Sequence, residues 1–358
     1  MPSLKEIKGR INSISSTLAI TSAMKMVAAA KLQKAQMAIQ NMLPYERRLY
    51  SMLIDLMGAM NISAAASEDG SVRGSGSAER GFDQSGDRLS LSNRHDLAGM
   101  DGAYSLMAQR EVRKVAIVAF ASNSSLCGAF NSNVIREATA VINEYRALGL
   151  GDADITVYSV GRKMAEAMKK LGFPSPADFT KMSDSPSYEA ASALAQELLD
   201  GFVSGRFDKV ELVYNHYKST SSQPTTRQTY LPLSLADATA DLQAGKIADS
   251  ASESDTNRGA EPVGAPVVRQ GSPTTEDLIV EPSKEALIAT LLPKVIRLRI
   301  FTTLLDSAAA EHAARTVAMQ LATDNGNDLL QELTLEYNKG RQQKITSEIL
   351  DLVGGSMQ

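Results

Sequence analysis

The chain has 358 residues, 43% hydrophobic and 22% charged, with a formal net charge of −4. That length admits two domains, or one domain with an extended element, and so mild a charge gives no argument for nucleic-acid or membrane binding. The single cysteine, Cys127, excludes an internal disulfide and fits a reducing compartment.

The N-terminal segment reads as one very long helix. Leu4, Ile7, Ile11, Ile14 and Leu18 recur at alternating spacings of three and four, the seam of a coiled coil. The pattern runs on to about Met57, roughly 80 Å of helix. Pro44 falls inside it and predicts a kink, because proline loses a hydrogen bond and crowds the preceding turn. Residues 1–50 hold eight Lys or Arg against two Glu, so either an acidic partner surface or a solvated helix face is expected there. The opening residues carry no apolar signal core, so no secretory route is expected. The longest strongly apolar run, Val115 to Phe120, falls far short of the ~20 residues that span a bilayer.

Residues 61–110 turn polar and rich in Gly and Ser, and are expected to be a loop or disordered insertion. Strands then alternate with helices over about 112–233. Lys114–Ala121 is an apolar run suited to a strand buried on both faces. A helix is predicted over Asn131–Leu148, a strand over Ile155–Val160, and helices over Arg162–Leu171 and Ser187–Ser204. Further strands are predicted over Val210–Tyr217 and Gln228–Leu233. This alternation predicts βαβ units and a mostly parallel sheet. Residues 236–275 form a second polar stretch, expected to be loop. A helix start is read at Ser283, a bend at Pro293, and then a long helical pattern from about Lys294 to Val353, roughly 90 Å, stopped by Gly354-Gly355.

Two such helices, far apart in sequence, bury their stripes most simply against each other. The fold class is therefore α/β: a long antiparallel coiled coil of the N- and C-terminal helices plus a central Rossmann-like α/β domain. The expected division is 1–58 for the first rod helix, 59–111 for a polar insertion, 112–235 for the α/β domain, 236–282 for a second insertion, and 283–358 for the closing rod helix.

An active site in the middle domain is not expected. The chain holds no GxxxxGK[ST] phosphate loop, and Ser122-Asn123-Ser124-Ser125-Leu126-Cys127-Gly128 after the first strand has one glycine where a dinucleotide fingerprint needs three. Cys127 as nucleophile would need a base to form thiolate. The histidines are His95, His216 and His312, of which His216 is the one conceivable partner. A small buried residue at a strand–helix junction is the preferred reading of Cys127. No Cys/His cluster has metal-ligand spacing, and no cofactor is expected.

Four motif blocks carry a resemblance. Ile20-Thr21-Ser22-Ala23-Met24-Lys25-Met26-Val27-Ala28-Ala29-Ala30-Lys31 opens the series, followed by Ser125-Leu126-Cys127-Gly128-Ala129-Phe130-Asn131. Near the end stand Ala313-Ala314-Arg315-Thr316-Val317-Ala318-Met319 with Ala322-Thr323-Asp324-Asn325-Gly326, then Tyr337-Asn338-Lys339-Gly340-Arg341-Gln342 with Ile345-Thr346-Ser347-Glu348-Ile349. In this order they resemble the γ subunits of F-type ATP synthases, bacterial type.

The resemblance implies a non-catalytic rotor shaft. It would carry torque between a proton-driven membrane ring of c subunits and a catalytic hexamer of alpha and beta subunits, beside an epsilon subunit. The catalytic sites would lie on the beta subunits. The shaft would be peripheral to the membrane, on the cytoplasmic face of the bacterial inner membrane. By the same resemblance Met24, Lys25 and Met26 would face the beta subunits; Arg315, Gln342 and Thr346 would serve coupling and hydrogen bonds to the ring of alpha and beta subunits; Glu281 would lie near the c-ring. On residue pattern alone, methionines at helical spacing read as coiled-coil core and a lone arginine on an alanine-rich helix as a solvated face. The alternative function is a coiled-coil adaptor with an α/β head. The dithiol switch of the plant chloroplast form is beyond a chain with one cysteine.

Overall fold

The structure is a computed structural model that describes residues 3–59, 106–233, 281 and 283–356. Most of the two polar stretches expected as insertions, with His95 among them, lies outside the described residues. In chain order the elements are helix α1 (Leu4–Ala59), strand β1 (Val115–Phe120), helix α2 (Phe130–Ala147), strand β2 (Ile155–Val160), helices α3 (Arg162–Lys170), α4 (Thr180–Asp184) and α5 (Tyr188–Val203), strands β3 (Lys209–Asn215) and β4 (Thr225–Leu231), and helix α6 (Lys284–Ser356). A short 3-10 turn, Asp152–Asp154, leads into β2.

Helices α1 and α6 form an antiparallel rod. Leu4 meets Gly340, Leu18 meets Gly326, Thr21 meets Thr323, Leu32 packs on Ala309 and Ala313, and Glu46 accepts a hydrogen bond from Thr302. As the first number of each pair rises the second falls, which fixes the opposite sense of the two helices. Glycine in a helix interior costs about 1 kcal/mol against alanine, and here it yields depth. A Cβ on Gly326 would lie 2.6 Å from Leu18 Cδ2, and one on Gly340 would lie 3.1 Å from Leu4 Cδ2. The two leucines and the two glycines are each fourteen residues apart, two heptads, so they repeat one knob-in-hole contact.

Helix α6 begins at Lys284, next to the start expected at Ser283, and runs as one helix through Pro293, where a bend was expected, and through the expected stop at Gly354-Gly355 to Ser356. Ser283 caps the start, its Oγ accepting from the Ala286 amide at 3.2 Å. Leu292, Val295 and Ile296 flank the proline and are fully buried. Their burial, about 2 kcal/mol each, outweighs the ~3 kcal/mol that proline costs a helix. Helix α1 likewise continues through Pro44.

The sheet order is β2-β1-β3-β4, with β1 parallel to both neighbours and β4 antiparallel to β3. Strand β1 is central and buried along its whole length, so its alternate side chains feed two cores. Val115, Ile117 and Ala119 point to the face covered by α2 and α3 through Val134, Val141, Ile142, Met164 and Met168. Ala116, Val118 and Phe120 point to the other, where Leu194, Leu198 and Phe202 of α5 meet the roots of the rod: Leu53 and Leu56 of α1, Ile288 to Leu304 of α6. One continuous core therefore holds the rod to the sheet. At the end of the first polar stretch, Leu106 is buried and Arg110 stacks over the Phe202 ring at 5.1 Å. Helix α4 has no counterpart among the elements expected from sequence.

Candidate functional site

Doubly wound sheets bind ligands in the crevice beyond the carboxyl ends of their strands, where the crossovers diverge to opposite faces. Here α2 covers one face and α5 the other, which places that crevice at the ends of β1 and β3. It is filled by the chain itself. Leu304, Ser307, Ala308 and Glu311 of α6 lie over Phe120 and Ala121 at the end of β1, Val160 at the end of β2 and Ser183, leaving a void of about 10 Å³, at the limit for a single water, while Asp306 meets the segment just past β3.

Two polar anchors tie the rod to the strand ends. At the end of β3, Asp306 receives the Tyr217 amide at 2.9 Å on Oδ1, while its Oδ2 pairs with His216 Nδ1 at 2.7 Å. Tyr217 reaches on to α1, where its hydroxyl accepts from Gln36 Nε2 at 2.6 Å. At the end of β1, Arg315 donates from Nη1 to the Ser125 carbonyl at 2.7 Å and from Nη2 to Ser124 Oγ at 2.8 Å and Glu311 Oε1 at 2.6 Å. That loop turns at Leu126 and Gly128, both with positive φ, and the left-handed geometry suits glycine at Gly128. A Cβ there would still touch Ala318 of α6, at 3.8 Å.

The electrostatics of the junction are uneven. Asp306 holds the His216 imidazole above its ordinary pKa through their hydrogen bond, against partial burial. Burial, together with Lys31 and Arg315 nearby, pushes His312 down to about 4. Burial also raises the Glu311 carboxyl, and the Arg315 hydrogen bond offsets that only in part. Cys127 is buried against Phe130 and Ala310, with Asn131 Nδ2 3.2 Å from its sulfur, while the His216 ring is engaged by Asp306. A Cys–His dyad is therefore not assembled.

The residues singled out from sequence fall in four places. Met24 and Lys25 are half-buried and Met26 is 65% exposed, on the stretch of α1 between the Thr21–Thr323 and Leu32–Ala313 contacts. This is where the rod leaves the sheet domain, and Ile20, Val27, Leu126 and Leu321 add exposed apolar surface at the same level. Arg315 is 9% exposed and its hydrogen bonds run to its own chain, contrary to a solvated face. Gln342 and Thr346 are exposed on the far end of α6, joined by the Thr346 hydroxyl donating to the Gln342 carbonyl at 2.9 Å. Glu281 is exposed in the bend before α6.

Beyond Gly340, α6 has no helix beside it among the described residues. Leu4 opens α1 opposite that glycine, so residues 341–356 project alone by roughly 24 Å. Ile345, Ile349, Leu350, Leu352 and Val353 are exposed on this projection. Sequence reasoning missed Asp306, Tyr217 and Gln36, which lie on three elements and have no shared spacing. It also missed the buried Glu211, held by Lys209, Arg227 and Tyr145 between β3, β4 and α2. Alternation along β3 gave a hint there, since Glu211 falls at an inward position.

Among the described residues no helix is long and apolar enough to cross a membrane. A family model described as ATP synthase matches residues 3–357. The ATP synthase gamma chain of Phocaeicola vulgatus is 47% identical over 357 residues, covering 100% of both chains. That of Bacteroides thetaiotaomicron is 45% identical over 358 residues, again 100% of each. Among solved structures, a chain of the rotor of the Euglena gracilis mitochondrial ATP synthase superposes with a TM-score of 0.52 at 19% identity, covering 96% of this chain and 98% of that one.

Proposed function

The chain belongs to the ATP synthase gamma-chain family, and we propose that its rod turns inside a ring of alpha and beta subunits while its sheet domain rides on a membrane ring of c subunits beside an epsilon subunit. Gamma chains are the non-catalytic central stalk of F-type ATP synthases, part of the F1 portion and peripheral to the membrane. The rod would carry torque either way, coupling ion movement to ATP synthesis or hydrolysis. The seat would be the cytoplasmic face of a bacterial inner membrane, in keeping with the bacterial relatives.

One observation supports the axle reading above all: two antiparallel helices share a single core with the sheet and then leave it as a rod. A shaft must resist bending and twist, and two helices interlocked by repeated leucine-into-glycine contacts do so better than one. It must also present a different surface at each angle. The projecting end of α6, with no matching projection of α1, gives it no threefold symmetry.

Within that reading the division into two rod helices, two polar insertions and an α/β domain is a division of labour. Met24, Lys25 and Met26 would meet the beta subunits where the rod leaves the sheet domain, and Gln342 with Thr346 would bond the ring higher up. Glu281 would lie toward the c-ring. Arg315 would serve coupling from inside, by locking the β1 loop to the rod. The test is reconstitution: the tagged chain should assemble with alpha and beta subunits into a complex that hydrolyses ATP. Isolation of the chain alone, with no hydrolysis gained on mixing, would overturn the reading in favour of an adaptor.

A further inference from the structure

We propose that Asp306 is a positioning residue for torque transfer, fixing the point at which the sheet domain grips both helices of the rod. The inference rests on the axle reading above and assigns a residue to it. The Asp306 carboxylate takes the Tyr217 amide on one oxygen and pairs with His216 through the other, at 2.9 and 2.7 Å. Tyr217 in turn accepts from Gln36 at 2.6 Å. The segment just past β3, α6 and α1 are thereby joined through Asp306 and Gln36 on the two helices and His216 and Tyr217 beyond the strand.

Its position gives the joint its importance. Up to Leu304 the rod is held to the sheet by interlocked large side chains. From Asp306 to Ala313 the buried apolar side chains of α6 are Ala308, Ala309, Ala310 and Ala313, with Met319 the next large one beyond them. Such short side chains allow close approach but form shallow ridges, which oppose sliding and twisting weakly. Directional hydrogen bonds are what remain to resist shear at that level. Those of Asp306 are charge-assisted, about twice as strong as neutral ones, and its side chain is 18% exposed, so water competes little. Arg315 provides the other such anchor, to the β1 loop. Asp306, on α6, reaches α1 as well, through Tyr217 and Gln36.

The test uses the assembled synthase in closed vesicles, reading ATP hydrolysis and ATP-driven acidification on the same sample. With Asp306→Ala, acidification per ATP hydrolysed should fall while hydrolysis is kept, because the apolar core still holds the fold. A purely structural role would lower both together by reducing the amount of complex. Tyr217→Phe deletes one hydroxyl, so it cuts the link to Gln36 while keeping the Asp306 pair. It should give a smaller loss of the same kind, and it keeps the test open if Asp306→Ala does not assemble. An unchanged ratio of acidification to hydrolysis in either assembled variant would overturn the inference. Failure of the unaltered chain to support hydrolysis would instead sink the axle reading itself.

Discussion

Leu18 fits against Gly326 so closely that a single added carbon on the glycine would stand 2.6 Å from the leucine Cδ2. The atom it meets is the far end of a flexible side chain. Gly326→Ala should therefore cost under about 1 kcal/mol, helix propensity offsetting the crowding. Gly326→Leu should pry the helices apart and cost about 2–3 kcal/mol. Urea unfolding of the purified chain checks both, and equal midpoints for the two variants would show that the contact is loose.

Gly161 presents the opposite case. Its φ is +96°, and a Cβ there would lie 2.0 Å from the Ala121 carbonyl oxygen, which is backbone and cannot step aside. Gly161→Ala should destabilise the α/β domain by about 3 kcal/mol or more. The same unfolding curves measure it.

Two histidines at the junction should give opposite pH slopes. His312 has its folded pKa pushed down to about 4, so its share of stability is present above the unfolded value near 6.5 and is lost as pH falls toward 4. With partial exposure screening the charge, that share is about 1–3 kcal/mol. His216 has its folded pKa raised by Asp306, so its share is complete below 6.5 and disappears as pH rises through the folded value. Urea midpoints from pH 4 to 9 should flatten on the acid side in His312→Gln and on the alkaline side in His216→Gln.

Glu211 is 1% exposed and bonded by Arg227, Lys209 and Tyr145. Burial pushes its carboxyl up, but those three partners together leave it below the usual value. Its contribution is thus present above the ordinary pKa and lost as pH falls through the lowered one. Arg227 also pairs with Glu144 on α2. Glu211→Ala should deprive Lys209 and the Tyr145 hydroxyl of their carboxylate, leave Arg227 with Glu144, and cost about 3 kcal/mol, seen as a fall in thermal midpoint at pH 7.

Removal of residues 341–358 should leave the isolated chain within about 0.5 kcal/mol of its original stability, since the side chains described in that stretch are exposed. A large drop in unfolding midpoint would mean that the projecting helix is held by the chain itself.

The rod was legible because period and length speak plainly: Leu4 to Leu18 mark a seam, and no loop runs so long without turn residues. Strand β2 was placed to the residue, since Ile155–Val160 is bounded by Asp154 and Gly161. The start of α6 was read at Ser283, but its unbroken run through Pro293 was not, because the proline is a strong local signal and its cost is outweighed by burial of Leu292, Val295 and Ile296, which local pattern does not reveal. Arg315 was misread by pattern as a solvated residue, since its partners Ser124 and Ser125 lie nearly two hundred positions away. The Asp306–Tyr217–Gln36 joint was invisible for the same reason: it exists only once three distant segments meet.

The stretch from Leu304 to Glu311 occupies the mouth where a fold of this outline would otherwise receive a cofactor. Because that plug is continuous with the turning shaft, any small molecule admitted there would have to unseat the drive train first. In this head, carrying a nucleotide and gripping an axle are mutually exclusive occupations, and the covalent continuity of α6 has chosen the second.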